Sequence, residues 1–302
     1  MISIIGSGQV GSSIAFLCMS NEIDNVLLVN RTEEKAIGEA LDISNSIPSS
    51  SKFSIRGTSD YSKLVGSDIV VVTASVVGYQ KDRTENIRSQ VNMIKEIAKN
   101  VKEFCPSAIV LIVSNPLDVL TYYFQIESCF SRFRVIGIAS SLDSSRFRYF
   151  ISEKFSVPQS SVSNALVLGE HGDTMVPIFS KAKVSGRNLL EQIDETERSS
   201  ITGKVRNYWK LLRNYKSRSQ FGIAKNTYDV ISAIIHKNEL KIPASIVLEG
   251  EYGVNNVSMG IPVKINHTGV VEIEKIALDN SESELLALSA KKIQDDIKSV
   301  KI

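Results

Sequence analysis

The sequence holds three histidines, and one of them, His171, lies in a string that could do acid–base chemistry. That string, Leu-Gly-Glu-His-Gly-Asp at 168–173, follows an apolar run, and its glycines would let a loop present the imidazole into a cleft. Histidine changes charge near neutral pH, so it can donate or accept a proton during a reaction. His236 and His267 fall at the polar end of a predicted helix and in a turn, where we expect surface residues. The string alone is equally typical of an ordinary loop histidine.

A carboxylate and a guanidinium stand three residues apart in a second string, Leu-Asp-Ser-Ser-Arg-Phe-Arg at 142–148. Asp143 and Arg146 would project from one face of a helix. One of them could orient a histidine while the other binds a substrate carboxylate in two-pronged fashion. An intrahelical ion pair, or Asp143 as a helix cap, would produce the same pattern.

A glycine-rich turn follows the first apolar run of the chain and precedes a predicted helix. Glycines allow a sharp turn and a close approach to a pyrophosphate, whose charge is favoured at a helix N-terminus. The strand, turn and helix together predict a dinucleotide site. Its residues would be Gly6, Gly8, Gln9, Val10 and Gly11.

The position expected to read the cofactor ribose holds Asn30-Arg31-Thr32, with no carboxylate before Glu33. Enzymes that prefer NAD usually carry an acidic residue there, whereas an arginine and a hydroxyl suit a 2′-phosphate. The same string occurs in NADP-binding shikimate dehydrogenases, which this segment resembles locally. We therefore predict NADP(H), with NAD(H) as the alternative. An exposed turn whose arginine contacts only solvent would have the same sequence.

Short apolar runs alternate with helical patterns in the first half of the chain. Nearly continuous runs are typical of parallel strands covered on both faces, so we predict a Rossmann-type doubly wound parallel sheet. The predicted strands are 2–5, 26–29, 53–56, 69–73, 109–113 and 135–138, and the predicted helices are 10–20, 33–43, 84–104 and 117–129.

The pattern changes near residue 140, where an α+β substrate domain is predicted to begin. We place a dinucleotide-binding domain at 1–139 and a catalytic domain at 140–302. Predicted helices are 143–155, 195–213, 221–237 and 282–300, and predicted strands are 162–168, 246–249, 257–259 and 262–265.

Composition excludes several other classes of protein. Hydrophobic residues make up 43% and charged residues 23% of the chain, as in globular proteins, and the net charge of +2 offers no basic patch for nucleic acid. Three scattered cysteines provide neither a disulfide framework nor the ligand spacing of a metal site. No apolar run is long enough to span a bilayer. Because the sequence opens directly into a predicted strand, we expect no signal peptide. We expect a cytoplasmic protein.

The strings described above, together with those at 34–36, 38–42 and 114–118, resemble the lactate/malate dehydrogenase family over nearly the whole chain. The resemblance implies that His171 is the general acid/base and that Asp143 orients it. It implies that Arg146 binds the substrate's C1 carboxylate, and that Asn115 hydrogen-bonds the substrate oxygen beside the nicotinamide. Arg83 would lie on a mobile loop and polarise the substrate carbonyl when the loop closes.

The segment 73–83 departs most from the family pattern. The position that discriminates malate from lactate falls on Val77, so substrate choice does not follow from the resemblance. Lys81 and Arg218 could bind a second carboxylate, although Lys81 is better read as pointing to solvent. A buried monocarboxylate substrate would leave Arg218 unpaired at a cost in free energy, so we favour malate/oxaloacetate. Lactate or another 2-hydroxy acid is the alternative.

Two further alternatives remain from the sequence. A glycosidase on a similar fold is disfavoured because its metal ligands have no counterpart here. A non-catalytic nucleotide sensor would need the glycine turn but would have no use for Arg146. By analogy with the family, we also expect a homodimer or homotetramer.

Overall fold

Six short strands form the parallel part of the central sheet. The structure is a computed structural model that describes residues 1–76 and 83–300, with side chains omitted for 83–85. The parallel strands are β1 (Ile2–Ile5), β2 (Val26–Val29), β3 (Ile55–Thr58), β4 (Ile69–Val72), β5 (Ile109–Ile112) and β6 (Val135–Gly137). Their order in the sheet is β3-β2-β1-β4-β5-β6, so the direction of winding reverses between β1 and β4. Ligands of such sheets bind at that reversal, beyond the carboxyl ends of the strands.

Four helices connect these strands and confirm the predicted doubly wound fold. They are α1 (Gln9–Ser20), α2 (Glu33–Ser44), α3 (Arg83–Phe104) and α4 (Leu117–Ser128). Five of the six strands begin where the sequence predicts, while β3 begins two residues later. A side chain at Gly57, in the middle of β3, would lie 2.3 Å from the backbone of Ala36 in α2. This close packing of strand on helix depends on a glycine.

The second half adds helices and a long antiparallel hairpin. Its helices are α5 (Ser140–Phe155), α6 (Glu195–Arg206), α7 (Tyr208–Arg213), α8 (Phe221–Ile235) and α9 (Asn280–Val300). Its strands are β7 (Val162–Ser163), β8 (Leu166–Leu168), β9 (Val176–Ile178), β10 (Lys183–Val184), β11 (Arg187–Asn188), β12 (Leu240–Glu249), β13 (Asn255–Asn266) and β14 (Gly269–Ile273). Strand β12 pairs antiparallel with β6 through Ser245 and Gly137, so β12, β13 and β14 extend the central sheet to nine strands.

Several boundaries in this half differ from the prediction. The helix predicted at 195–213 is divided at Asn207, and the strand at 162–168 is interrupted at Asn164, whose φ is +53°. Helix α5 begins at Ser140, three residues earlier than predicted. Asp143 therefore lies within the first turn and does not cap the helix.

Residues 1–76 and 83–300 contain no helix that is both long and apolar enough to cross a membrane.

Candidate active site

The glycine turn lies at the carboxyl end of β1, where the winding of the sheet reverses. A side chain on Gly6 would lie 2.7 Å from the backbone nitrogen of Ala74, and one on Gly11 would lie 1.9 Å from the Gly6 carbonyl oxygen. Both glycines therefore let the turn pack against its neighbours. Around Gly8, by contrast, there is open space within 4 Å, and no side chain caps α1 there. This open helix N-terminus fits the pyrophosphate of a dinucleotide, beside Gln9 and Val10 in the first turn.

The segment after β2 is held to this turn by Asn30. Its amide nitrogen donates to Ser7 Oγ at 2.8 Å, and its oxygen accepts from the Thr32 N–H at 3.0 Å. Arg31 is exposed, and the described residues offer it no hydrogen bond or ion pair. The Glu33 carboxylate, two residues after Arg31 in sequence, accepts from the Thr58 hydroxyl and the Ser59 N–H, both at 3.2 Å, and these bonds fix its position.

His171, Asp143 and Arg146 form one hydrogen-bonded group. His171 Nδ1 lies 2.6 Å from Asp143 Oδ2, and Arg146 donates from an Nη atom to Asp143 Oδ1 at 2.8 Å. Asp143 is 1% exposed and the His171 side chain is 18% exposed. The predicted intrahelical ion pair and the predicted contact of Asp143 with a histidine are both present, and they share one carboxylate.

The surroundings of His171 favour its protonated form. Burial alone would lower the pKa of the imidazole, and the positive charge of Arg146 acts in the same direction. The charge and hydrogen bond of Asp143 outweigh these effects, with a smaller contribution from Asp118, so the pKa of His171 is raised above its ordinary value. The site therefore favours the form of the imidazole that can donate a proton.

Arg146 lies between the catalytic group and a cavity of about 330 Å³. Its guanidinium carbon lies over the Tyr208 ring, 4.7 Å from the ring centre, which is a cation–π contact. Among the described residues, no group accepts a hydrogen bond from its buried Nε. A buried donor left in this state costs free energy unless a ligand accepts from it, which fits a carboxylate-binding site.

Arg218 and Lys216 line the same cavity as Arg146. Lys216 Nζ donates to Gln220 at 2.9 Å and lies over the Phe221 ring. Arg218 is exposed and has no partner among the described residues. The cost predicted for an unpaired Arg218 beside a monocarboxylate substrate stays a prediction, and the position of Arg218 in the Arg146 cavity agrees with a second cation at the site.

Three predicted residues fall partly or wholly outside the description. Val77 and Lys81 lie outside the described residues, and Arg83 is described only as the first residue of α3. Asn115 lies in the loop between β5 and α4, with its side chain exposed.

Sequence reasoning assigned no role to two residues that touch the catalytic group. Tyr208 stacks on Arg146 from a helix that begins 62 positions later, and Asp118 accepts a hydrogen bond from the His171 backbone N–H at 2.7 Å. Asp118 did carry a signal, since it is a charged residue within the apolar start of α4. No local pattern pointed to Tyr208.

A doubly wound sheet with an open glycine turn and a carboxylate-paired histidine defines a dehydrogenase of the dinucleotide-binding class. Residues 1–137 match the lactate/malate dehydrogenase NAD binding domain, and residues 140–302 match the alpha/beta C-terminal domain of the same enzymes. The chain belongs to the lactate/malate dehydrogenase family.

Individual relatives cover essentially the whole chain. The malate dehydrogenase of Chlorobium phaeobacteroides is 36% identical over 99% of this chain and 98% of its own length. Among solved structures, the malate dehydrogenase of Aeropyrum pernix has a TM-score of 0.94 at 31% identity, over 99% of this chain and 98% of that one. The lactate dehydrogenase of Cryptosporidium parvum, solved with lactic acid and nicotinamide adenine dinucleotide, has a TM-score of 0.94 at 35% identity, over 99% and 97%. The family thus includes both malate and lactate enzymes at similar distances.

Proposed function

We propose that the chain transfers a hydride between a nicotinamide cofactor and a small 2-hydroxy acid, with malate and oxaloacetate as the favoured pair. The observation that carries this proposal is the group in which one buried carboxylate, Asp143, binds both His171 and Arg146. A proton-transfer group and a carboxylate-binding group are thereby fixed side by side, as 2-hydroxy acid chemistry requires.

The proposed roles follow from this geometry. Asp143 holds the proton of His171 on Nδ1, so that Nε2 faces the substrate. During reduction the protonated imidazole donates to the substrate carbonyl oxygen, and during oxidation the neutral imidazole accepts the hydroxyl proton. Arg146 binds the C1 carboxylate, while Asn115 and Arg83 hydrogen-bond and polarise the reacting oxygen. The nicotinamide, when bound, supplies or accepts the hydride.

The proposed choice of a dicarboxylate rests on Arg218, which lines the Arg146 cavity as an exposed cation. We expect Arg218→Ala to raise the KM for oxaloacetate roughly tenfold while changing the KM for pyruvate less than twofold, because only oxaloacetate has a second carboxylate. Steady-state kinetics with both substrates measure this. Arg213→Ala, which removes a cation that stacks on Trp209, is the matched control. Equal changes for both substrates would contradict the assignment.

Lactate is the second candidate substrate, and the likeness to the Cryptosporidium parvum lactate dehydrogenase favours it.

The proposed preference for NADP(H) rests on Arg31, an exposed guanidinium that the described residues leave free. NAD(H) is favoured instead by the fixed Glu33 carboxylate, which would repel a 2′-phosphate. We expect Arg31→Ser to lower kcat/KM for NADPH roughly tenfold and to leave that for NADH within twofold. Equal losses with the two cofactors would exclude a phosphate contact at Arg31.

The experiment that tests the function follows oxidation of NADPH and of NADH with oxaloacetate and with pyruvate. Faster turnover of oxaloacetate supports the dicarboxylate, and faster turnover with NADPH supports the Arg31 site. Turnover of pyruvate alone would favour lactate. If no combination reacts, the chain is not a dehydrogenase for these acids.

We further propose a cytoplasmic homodimer or homotetramer, divided into a cofactor half at 1–139 and a substrate half at 140–302. Exposed apolar side chains support association, notably Ile37 and Leu41 one turn apart on α2 and Phe221 at the start of α8. Analytical ultracentrifugation distinguishes the two assemblies from a monomer.

A further inference from the structure

A second buried carboxylate lies against His171, on α4 and not on the helix α5 that carries Asp143. Asp118, in the first turn of α4, is 4% exposed. Its Oδ2 accepts the backbone N–H of His171 at 2.7 Å, and its Oδ1 accepts the Ser245 hydroxyl at 2.6 Å. Ser245 Oγ is 2.8 Å from Ser258 Oγ. The carboxylate therefore joins α4, the His171 loop, β12 and β13.

We propose that Asp118 is a positioning residue of the active site, which fixes the main chain of His171 and sets the proton affinity of its imidazole. The proposal rests on the function proposed above for His171. Asp118 has two roles in this proposal. Its hydrogen bond determines the position of the imidazole, and its negative charge raises the proton affinity of the imidazole.

The placement of Asp118 also links two parts of the site. Asn115 stands three residues earlier, in the loop that leads into α4. Side chains on helices are positioned more precisely than those on loops. A carboxylate on α4 that binds the His171 backbone therefore constrains the distance between this loop and the imidazole. The two groups proposed to contact the reacting oxygen are therefore held together through Asp118.

A buried carboxylate is an expensive way to satisfy one backbone N–H, since an uncharged amide could accept the same hydrogen bond. Burial raises the pKa of Asp118 to about 6, against the hydrogen bonds from Ser245 and His171, which lower it. At neutral pH the group is still mostly ionised. Its negative charge then favours the protonated imidazole.

Other charged groups around His171 also influence the proton affinity of its imidazole. Asp143 and Arg146 face it from α5, and the carboxylate of Glu170 acts on Asp118. Asp173 and Asp296 line the cavity beside the imidazole, the latter from α9. The effect of Asp118 must therefore be measured as a change against these fixed charges.

The variant Asp118→Asn separates charge from position. Its oxygen can accept from the His171 N–H, and its amide can donate to Ser245, which can in turn donate to Ser258. We expect the pKa of His171 to fall by roughly 1 unit and the alkaline limit of oxaloacetate reduction to move to lower pH by the same amount. The rate in the acidic plateau should stay within a few-fold of wild type.

Two more variants test the hydrogen bond and the charge of Asp118 separately. Asp118→Ala also removes the hydrogen bond to the main chain, so kcat should fall roughly tenfold even in the plateau. Ser245→Ala removes one hydrogen-bond donor to the Asp118 carboxylate and so makes its ionised form less stable. The pKa of His171 should therefore fall, by a smaller amount than in Asp118→Asn. Ser245→Ala provides the same direction of change if Asp118→Asn folds poorly.

Glu282 offers a matched control elsewhere in the chain. It is a fully buried carboxylate that accepts the Ser180 N–H at 3.0 Å and the Ser180 hydroxyl at 2.6 Å, the same two kinds of donor as Asp118. We expect Glu282→Gln to lower the melting temperature without changing the pH profile or the pKa of His171.

The decisive readout is the titration of His171 by NMR in histidine-labelled protein. Only three imidazole signals are present, and His171→Gln identifies the relevant one. A lowered pKa in Asp118→Asn, absent in Glu282→Gln, supports the proposal. An unchanged pKa with only a lower melting temperature overturns it. If the wild type turns over no 2-oxo acid while the shift persists, the reaction assignment fails and the influence of Asp118 on His171 stands.

Discussion

His171→Gln is expected to lower kcat for 2-oxo acid reduction about 10²- to 10⁴-fold, the usual contribution of a positioned acid–base group. Glutamine keeps a polar side chain of similar reach but cannot deliver a proton near neutral pH. Because the ring pairs with Asp143 at 2.6 Å, the variant also removes one of that carboxylate's two partners and leaves Arg146 as the other. Binding of the cofactor should change little, since the glycine turn lies on a different element.

The role of His171 also predicts how the rates of reduction and oxidation change with pH. Reduction requires the protonated imidazole, whose pKa is raised in this site, so the wild-type rate should be constant at low pH and fall above that pKa. Oxidation requires the neutral form and should rise through the same pH. Profiles of kcat/KM in both directions measure this. His236→Gln, at an exposed position on α8's C-terminal end, is the control and should leave both limits in place. A wild-type alkaline limit retained in His171→Gln would contradict the assignment.

The second large effect is expected for Arg146→Lys, which keeps the charge and removes the planar fork. Lysine cannot bind a carboxylate through two parallel hydrogen bonds, and it cannot stack flat on Tyr208. We expect kcat/KM for oxaloacetate to fall roughly 10²-fold, mainly through a higher KM.

Arg148→Lys is the matched control for this change. Arg148 lies one half-turn further along α5 and bonds with Gln159 and Ser145. It should change kcat/KM less than twofold. Steady-state kinetics on both variants decide the matter, and an Arg146→Lys enzyme with a normal KM would show that Arg146 does not bind the substrate.

Five strands of the parallel half were predictable because they are buried on both faces and almost entirely apolar. The edge strand β3 is only partly buried and carries Arg56 and Thr58, and its start was predicted two residues too early. Strands β1 and β2 were placed to the residue. The second half of the chain was less predictable. Strands β12 and β13 form one long hairpin, but each was seen only in part, because exposed polar residues and the paired prolines Pro243 and Pro262 break their apolar pattern.

The same limit applies to the active site. The types and spacing of Asp143, Arg146 and His171 indicated their chemistry, since function constrains the side chains themselves. The supporting residues Asp118 and Tyr208 act by proximity across more than fifty positions of sequence. No local pattern encodes that proximity, so the fold was needed to find them.

The pairing of β6 with β12 has a consequence for recombining this chain with its relatives. A side chain at Gly137 would lie 2.6 Å from Thr121 Oγ1 and 2.9 Å from the Ser245 Cβ, so this crossing admits only a glycine opposite a small residue. Ser245 also binds Asp118. A chimera that joins the first 139 residues to a foreign second half must therefore carry compatible residues at 118, 121, 137 and 245. Without them, the graft would lose the continuous sheet and the support beneath His171 together.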